Sequence, residues 1–198
     1  MELGRIVHSN SHVDYVCQIA QRSETAVAPG PVDYAFGTLV GIEGTAGTLV
    51  GVIYDTQLLN PEFGNLGPRL SPRDELAVFS PDYLAETATL VAIMAIGVFK
   101  PDGLSQQGVP DIAVEVGSAV RTLSPGEIIA FHQQGGRLRL AYLPTLLAAA
   151  NGPLGLTLAQ RVMAQLEELL PEEHARLQVL ASSISWRAAV DGLQEGGR

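Results

Sequence analysis

Two matching segments, ten positions apart, constrain the fold of this chain more than any other feature. GTLVGI at 37–42 returns as GTLVGV at 47–52, and EGTA at 43–46 has the length and composition of a hairpin loop. Glycine weakens a strand interior unless it permits a bulge, a tight bend or a close backbone approach. Small barrels need such bends at their corners, so the repeat predicts a curled, closed β-structure rather than a flat sheet.

Further β-rich runs lie on both sides of this hairpin. Residues 4–7 and 13–19 are short runs joined by a polar turn, and 112–120 is expected to supply one last strand. The longest apolar run, 90–99, has ten residues, about half of what a membrane-spanning helix needs. We therefore interpret it as a buried strand and expect a soluble, cytoplasmic protein that has no membrane partner.

The chain changes character after a turn-forming NGP at 151–153, and the residues beyond it have helical spacing. Thr157 with Gln160 fits a capping box for a first helix, and Pro171 is expected to open a second one. This pair has to bury its apolar stripe either on the chain's own barrel or on a partner. The stripe contains Ala159, Val162, Met163, Leu166, Leu169 and Leu170 in the first helix, and Leu177, Leu180, Ile184 and Ala188 in the second.

These elements predict a mixed, mainly β fold: a small closed or partly closed antiparallel β-barrel with short helices and a C-terminal helical hairpin. We expect the barrel over 1–125, a connecting segment with short helices over 126–152, and the hairpin over 153–198. Two short helices are also predicted. One begins with Ser-Pro and covers 80–86, and the other begins with a capping box, SPGE, at 124–127.

The charge balance restricts the partners and the chemistry. Lysines and arginines number 12 against 21 acids, a formal charge of −9, whereas proteins that bind nucleic acid by neutralising phosphates are usually basic. The single lysine, Lys100, precedes Pro101, so the chain lacks the Gly-Lys-Ser/Thr of a phosphate-binding loop. The single cysteine, Cys17, excludes an intramolecular disulfide, and its apolar neighbours predict a buried thiol.

The sequence contains no pattern that indicates catalysis, a metal site or a cofactor. His8 and His12 are four residues apart, a metal-binding spacing on a helix, but they flank a predicted turn. His132 lies near a Gly-Gly pair and His174 in a charged turn, so both are expected to face solvent. Ser118 lacks the second glycine of a nucleophile elbow. We therefore expect a non-enzymatic protein that needs no cofactor.

Seven segments together are similar to those of a known family. They are LGRIV at 3–7, DYVC at 14–17, the glycine-marked pair at 37–42 and 47–53, the helix-then-strand segment at 80–99, VP at 109–110 and VGSAV at 116–120. Over about residues 3–125 the chain resembles the HAS-barrel, the N-terminal β-barrel of HerA-type DNA-translocating ATPases, which is related to the N-terminal barrel of rotary ATP synthase subunits.

The resemblance implies a barrel that mediates subunit assembly and partner docking beside an ATPase or nuclease, with no catalysis of its own. In that family a phosphate-loop ATPase domain follows the barrel, whereas this chain continues into a helical hairpin. Residues 34–37 also follow the family's glycine-acid-tyrosine turn only loosely. ATP binding therefore does not carry over, and the resemblance implies a free-standing barrel.

We expect a non-catalytic assembly or partner-docking module, an accessory to a HerA-type ATPase or nuclease system. Its partner is another protein or a second copy of itself, with no direct contact to nucleic acid. The loops at 60–73 and 101–110 and the helices at 156–190 are predicted to supply the contact surface. The candidate interface residues are Phe63, Leu66, Leu166, Leu170, Leu177, Ile184, Trp186 and Arg187.

Two other functions remain open at this point. A small β-barrel enzyme that binds a ligand or flavin is one alternative, because split-barrel flavin proteins also combine a glycine-rich β-domain with helices. Binding of single-stranded nucleic acid is the other, since Tyr15, Tyr34, Phe36 and Tyr54 offer rings on which bases stack. The acidic charge disfavours this last function.

Overall fold

The computed structural model describes most of the chain. The described residues are 1–21, 25, 27–60, 87–149 and 153–195, with 149, 153 and 187–195 by their backbone only. The predicted short helix at 80–86 lies outside these residues.

Seven strands form the main sheet of the described residues: β1 (Glu2–Ser9), β2 (Asp14–Ile19), β3 (Leu39–Gly44), β4 (Gly47–Leu59), β5 (Ala88–Phe99), β6 (Ser105–Gln107) and β7 (Ala119–Thr122). Six of them follow the order β2-β1-β7-β3-β4-β5, and β2 also pairs with β5, which closes an antiparallel barrel. The short β6 extends the sheet beyond β5. The predicted mainly β fold and its antiparallel barrel are confirmed.

The sequence repeat forms the predicted hairpin between β3 and β4. Pairing runs from Leu39 opposite Val52 to Gly44 opposite Gly47. The turn therefore consists of residues 45–46 only, and it is shorter than the four-residue loop expected from the sequence. The two copies of the repeat pair with each other because a hairpin brings consecutive strands side by side.

Two glycines show why the barrel closes tightly. A Cβ atom on Gly51 would clash with the Cγ2 atom of Ile93 on the neighbouring strand. A Cβ atom on Gly4 would clash with the backbone carbonyl of Gln18 on β2. Glycine is therefore required where strands approach each other most closely.

Side chains alternate across the barrel wall, as expected for strands. On β4, Leu49 and Ile53 point into the barrel, while Val50 and Val52 point out of it. The inner side chains fill the barrel with a packed apolar core, which is usual for small barrels. This core consists of Leu3, Ile6, Tyr15, Cys17, Ile19, Val40, Ile42, Leu49, Ile53, Val91, Ile93, Ala95, Val98 and Val120.

A layer of helices covers the outer wall formed by β3, β4 and β5. Its elements are α1 (Pro125–His132), a small hairpin of β8 (Gln133–Gln134) and β9 (Arg137–Leu138), α2 (Leu143–Ala149), α3 (Pro153–Leu169), a 3₁₀ helix (Pro171–Glu173) and α4 (His174–Glu195). Among the helices of the described residues, none combines the length and the apolarity that crossing a lipid bilayer requires.

A second apolar core joins this layer to the barrel. The barrel contributes Leu39, Val50, Val52, Met94 and Ile96, and the layer contributes Leu123, Ile128, Phe131, Tyr142, Leu143, Leu146, Leu158, Ala159, Val162, Met163, Leu166, Leu170 and Leu177. Of the two options left open for the C-terminal helices, the structure therefore shows packing on the chain's own barrel.

The predicted capping box begins α1. The Glu127 N–H donates to Ser124 Oγ at 3.3 Å, and the Ser124 N–H donates to Glu127 Oε2 at 2.8 Å. The same carboxylate accepts two hydrogen bonds from the Arg121 guanidinium, at 2.7 and 3.0 Å, and this cation lowers the pKa of Glu127 to about 2. Arg121 also pairs with Glu43 at 2.8 Å, so one arginine joins β7 and β3 to the start of α1.

The strand expected over 112–120 is wrong in its extent, because only 119–122 forms β7. The preceding residues lie against the barrel, where Ile112 and Val114 pack on its interior core. Val114 lies beside Gly44, at the turn end of the β3–β4 hairpin. Alternating apolar residues give the same period of two whether they plug a barrel end or join a sheet.

The capping box expected at Thr157 and Gln160 is also wrong. α3 begins at Pro153, so Thr157 lies within the helix instead of preceding it. Proline is favoured in the first helical position, and the NGP sequence therefore sets the helix start. Pro171 opens the 3₁₀ helix that leads into α4, close to the expected start of the second helix.

Candidate docking surfaces

Three of the predicted interface leucines lie inside the protein. Leu166, Leu170 and Leu177 are 0%, 2% and 0% exposed, within the core between helices and barrel. Ile184 is partly buried against the same core. These side chains stabilise the chain's own tertiary structure and offer no surface to a partner, since the barrel already covers their stripe.

Trp186 is different, because its side chain is 71% exposed near the end of α4. It lies seven residues after Val179, which is 66% exposed. Seven residues make about two turns, so both side chains are on the same side of the helix. Exposed Ser182 and Ser183 lie between them on that side. We call Val179, Ser182, Ser183 and Trp186 the α4 outer stripe.

Most of the remaining interface predictions lie outside the described residues, and one loop lies within them. Phe63, Leu66 and the rest of the 60–73 loop after Asn60 lie outside the described residues. The side chain of Arg187 does too. The 101–110 loop is described, and it exposes Leu104 and Val109, at 66% and 53%.

The last third of β4 forms a second exposed surface. From Leu49 to Ile53 the strand is buried, whereas residues 55–59 are exposed throughout. Leu58 is 78% exposed and Leu59 48%. We call residues 55–59 the β4 arm.

The β4 arm has a strand neighbour on one side only. It pairs with β5, from Asp55 opposite Ala92 to Leu59 opposite Ala88. On the other side β3 begins at Leu39, opposite Val52, and the last backbone bonds across this side join Ile53 to residues 37–38. Within the described part of the chain, the outer edge of the arm is therefore unpaired.

Hydrogen bonds fix the base of the arm. The Tyr54 hydroxyl donates to Asp14 Oδ1 of β2 at 2.8 Å. Burial, together with the Asp14 carboxylate, raises the pKa of Tyr54. The Thr56 N–H donates to Asp55 Oδ1 at 2.8 Å, so this N–H is satisfied locally.

A groove of about 470 Å³ lies along β1. Val7, Gln18 and Val116 are among its lining residues. Its charged residues, Arg5 and Glu2, pair with each other at 3.5 Å, and Arg5 also donates to the Gly117 carbonyl at 3.1 Å. The groove's two opposite charges are thus already engaged.

His132 corrects a prediction, because it was expected to face solvent and is fully buried. Its Nδ1–H donates to the Ile128 carbonyl at 2.7 Å, and the Tyr142 hydroxyl donates to its Nε2 at 2.8 Å. Burial lowers the pKa of His132 to about 4, so the ring is neutral near pH 7. His132 is a satisfied core histidine that links the end of α1 to Tyr142, the residue before α2. Its position one turn after Ile128 was the sequence signal for burial, which the nearby Gly-Gly pair obscured.

The other histidines and the cysteine form no metal site. Across the described residues, no three His, Cys, Asp or Glu side chains come close enough to hold an ion. His12 bonds to the Pro110 carbonyl at 2.7 Å, and His174 is exposed as predicted. Cys17 is buried as predicted, and burial raises the pKa of its thiol to about 12.

Comparison with known families adds one assignment. A family model described as a domain of unknown function, DUF8166, matches residues 1–194. The chain belongs to this family. Because the match spans the barrel and the helical layer, the DUF8166 unit contains both candidate docking surfaces. A search of the curated proteins gives no significant match.

Sequence reasoning missed the β4 arm, although a signal for it is present. A Pro-Gly-Pro break at 29–31 ends any strand that precedes the first copy of the repeat. No such break follows the second copy, where YDTQLL continues at 54–59. The second strand of the hairpin therefore extends beyond the residues that pair with the first strand.

Proposed function

We propose that this protein is a non-catalytic docking module that binds a protein partner through the α4 outer stripe, as an accessory to a HerA-type ATPase or nuclease system. The observation that carries the proposal is the exposure of Trp186. It is the only tryptophan in the chain, and 71% of it faces solvent. Tryptophan is among the residues most enriched at the energetic centres of protein interfaces.

The opposite side of α4 supports this role, because it holds the stripe in place. Leu177 is fully buried, and Leu180 and Ile184 pack on the core between helices and barrel. Gln178 donates to Glu167 of α3 at 2.9 Å, and Gln160 of α3 donates to Ser185 at 3.0 Å. A surface that is already ordered loses less conformational entropy on binding.

The charge of the molecule supports a partner with basic groups around an apolar contact. The chain carries a formal charge of −9, and acids cluster where α3 passes into α4. Complementary charge accelerates encounter and selects among partners. The resemblance of the barrel region to the HAS-barrel supports the class of partner, while the exposed tryptophan supports the place of contact.

Calorimetry with a purified HerA-type ATPase from the same cell tests the proposal. Trp186→Ala is expected to weaken binding by about 30-fold, the loss typical of a central interface tryptophan. Val32→Ala is the matched control, because Val32 is 87% exposed in a turn remote in sequence from α4. The absence of binding by the wild-type protein would contradict the accessory role. Equal affinities of the two variants would contradict the docking stripe.

A further inference from the structure

The β4 arm and the α4 outer stripe would bind a partner through different groups. The stripe exposes side chains, whereas the arm leaves backbone N–H and C=O groups along its described edge without a partner strand. We propose that the outer edge of the arm pairs antiparallel with the same edge of a second copy of this chain. This inference deepens the proposed assembly role and rests on it, but it concerns another surface and is tested separately.

Within the described residues, no strand pairs with the outer edge of the arm, and the one bond given for a backbone group on it is the local Thr56 bond, which a partner strand would have to replace. The Thr56 N–H bonds to its neighbour's carboxylate, which places it on the side away from β5. Backbone N–H groups point alternately to the two sides of a strand, so the Leu58 N–H lies on the same open side. An unpaired strand edge of this kind is a template for another strand.

Within the part of the chain that the structure describes, most of the edge carries none of the features that prevent such pairing. Natural edges are usually guarded by lysine, proline, a bulge or a covering element. Residues 56–59, with sequence TQLL, contain no charge and no proline, and Leu58 is 78% exposed. Asp55 is the only charged residue of the arm, and it guards the end nearest the barrel.

The edge can pair with its own copy across a two-fold axis. A two-fold axis at Gln57 places Thr56 of one copy opposite Leu58 of the other, and Asp55 opposite Leu59. The two Asp55 carboxylates then lie about 13 Å apart along the strands, at roughly 3.3 Å per residue. This separation exceeds the Debye length of about 8 Å at physiological salt, so they repel each other weakly.

Pairing with a second copy is also expected to stabilise the ribbon that the arm forms with β5. Pairing of β5 with β2 ends at Leu90, so β4 is the one described strand that pairs with Ala88 and Thr89. A two-stranded ribbon is marginally stable in water, whereas three or more strands with an apolar face are more stable. Two arms joined by their edges make a four-stranded sheet. The paired segments are short, so we expect a reversible dimer that depends on concentration.

Disulfide capture provides the direct test. In the proposed register, Gln57 of each copy forms a non-hydrogen-bonded pair, with Cα atoms about 4.5 Å apart, within disulfide range. Mild oxidation of the full-length Gln57→Cys variant is expected to give a covalent dimer, and the buried Cys17 stays reduced. Val32→Cys, at a position that is 87% exposed, is the control for random collision. Equal yields from both variants would overturn the proposal.

A second substitution keeps the test independent of folding. Leu58→Pro removes an N–H that points away from β5, so the pairing of β4 with β5 is retained. In the Gln57→Cys background it is expected to abolish the covalent dimer while the thermal unfolding curve changes little. A covalent dimer that persists with Leu58→Pro would overturn the edge pairing.

Sedimentation velocity over a range of concentrations separates this inference from the proposed function. The wild-type protein and Trp186→Ala are expected to dimerise equally, and Leu58→Lys to remain monomeric. If Trp186→Ala alone abolishes the dimer, the copies meet through α4 and the edge inference is wrong. If the wild-type protein stays monomeric, the inference is wrong whether the edge is covered by another segment or left open. In either case, calorimetry with the ATPase still decides the docking proposal.

Discussion

The two sides of the helical layer contain similar residue types in opposite surroundings. On the barrel side, Leu166 and Leu177 are fully buried, and so is His132 of α1. On the outer side of α4, Val179 and Trp186 are mostly exposed. This difference shows that helical spacing identifies apolar stripes but not what covers them. The inner side is therefore expected to control stability and the outer side binding, and four substitutions test that division.

The largest effect is expected on the inner side. Leu166→Ala removes a fully buried side chain and should lower the free energy of unfolding by roughly 2–5 kcal/mol. Leu154→Ala is the matched control, because Leu154 is on the same helix and 56% exposed. Urea unfolding monitored by circular dichroism gives both values. Similar losses in the two variants would break the comparison.

The buried histidine makes the inner side sensitive to acid. Burial lowers the pKa of His132 from 6.5 to about 4, so the unfolded chain binds its proton first as the pH falls. Stability should therefore decrease from pH 6.5 towards pH 4 by up to about 3 kcal/mol, at 1.36 kcal/mol per pKa unit.

Unfolding across this pH range in two variants isolates the histidine. His132→Gln should lose most of the dependence between pH 6.5 and 4, because glutamine does not titrate. His174→Gln should retain the dependence, since His174 is exposed. An unchanged pH profile in His132→Gln would show that other groups cause the acid sensitivity.

A smaller effect is expected where the layer begins. Arg121→Gln removes two hydrogen bonds to Glu127 and one to Glu43, and should cost about 1 kcal/mol because the groups are partly solvated. Arginine lowers the pKa of Glu127 to about 2, so this contribution is present above pH 4.5 and is lost as the pH falls towards 2. Thermal unfolding at low and high salt measures it. Arg176→Gln, which breaks a single ion pair with Glu173 in which the arginine side chain is 56% exposed, is the control and should have little effect.

The smallest effect on stability is expected on the outer side. Trp186→Ala should change the free energy of unfolding by less than about 0.5 kcal/mol, because exposed positions contribute little. Urea unfolding under the conditions used for Leu166→Ala makes the comparison direct. A loss of several kcal/mol would place Trp186 with the core residues and remove the basis for the docking stripe.

Much of the fold was predictable from the sequence, because its signals are local. The repeat at 37–52 predicted the hairpin, and the Ser124 capping box predicted α1. Predictions that depend on distant packing were less successful. The alternating residues at 112–118 have a strand pattern, yet Ile112 and Val114 pack on the core of the barrel without joining its sheet. His132 has loop-like neighbours in the sequence, yet its side chain is fully buried.

The candidate site was less predictable than the fold. The stripe that contains Leu166 and Leu177 predicted the helices correctly, but the sequence does not specify whether barrel or partner covers it. Trp186 was identified because tryptophan is rare and favoured at interfaces, and the structure places it in solvent. The β4 arm depends on where β3 begins relative to β4, a matter of register that residue composition does not reveal.

The most direct test of the central claim observes Trp186 itself during binding. Incorporation of fluorotryptophan gives this chain a single fluorine NMR signal, because it contains one tryptophan. When a HerA-type ATPase is added, the signal is expected to shift and broaden, and its sensitivity to solvent isotope should fall as the indole is covered. A complex verified by sedimentation in which the signal keeps its position and its solvent sensitivity would contradict docking through the α4 outer stripe.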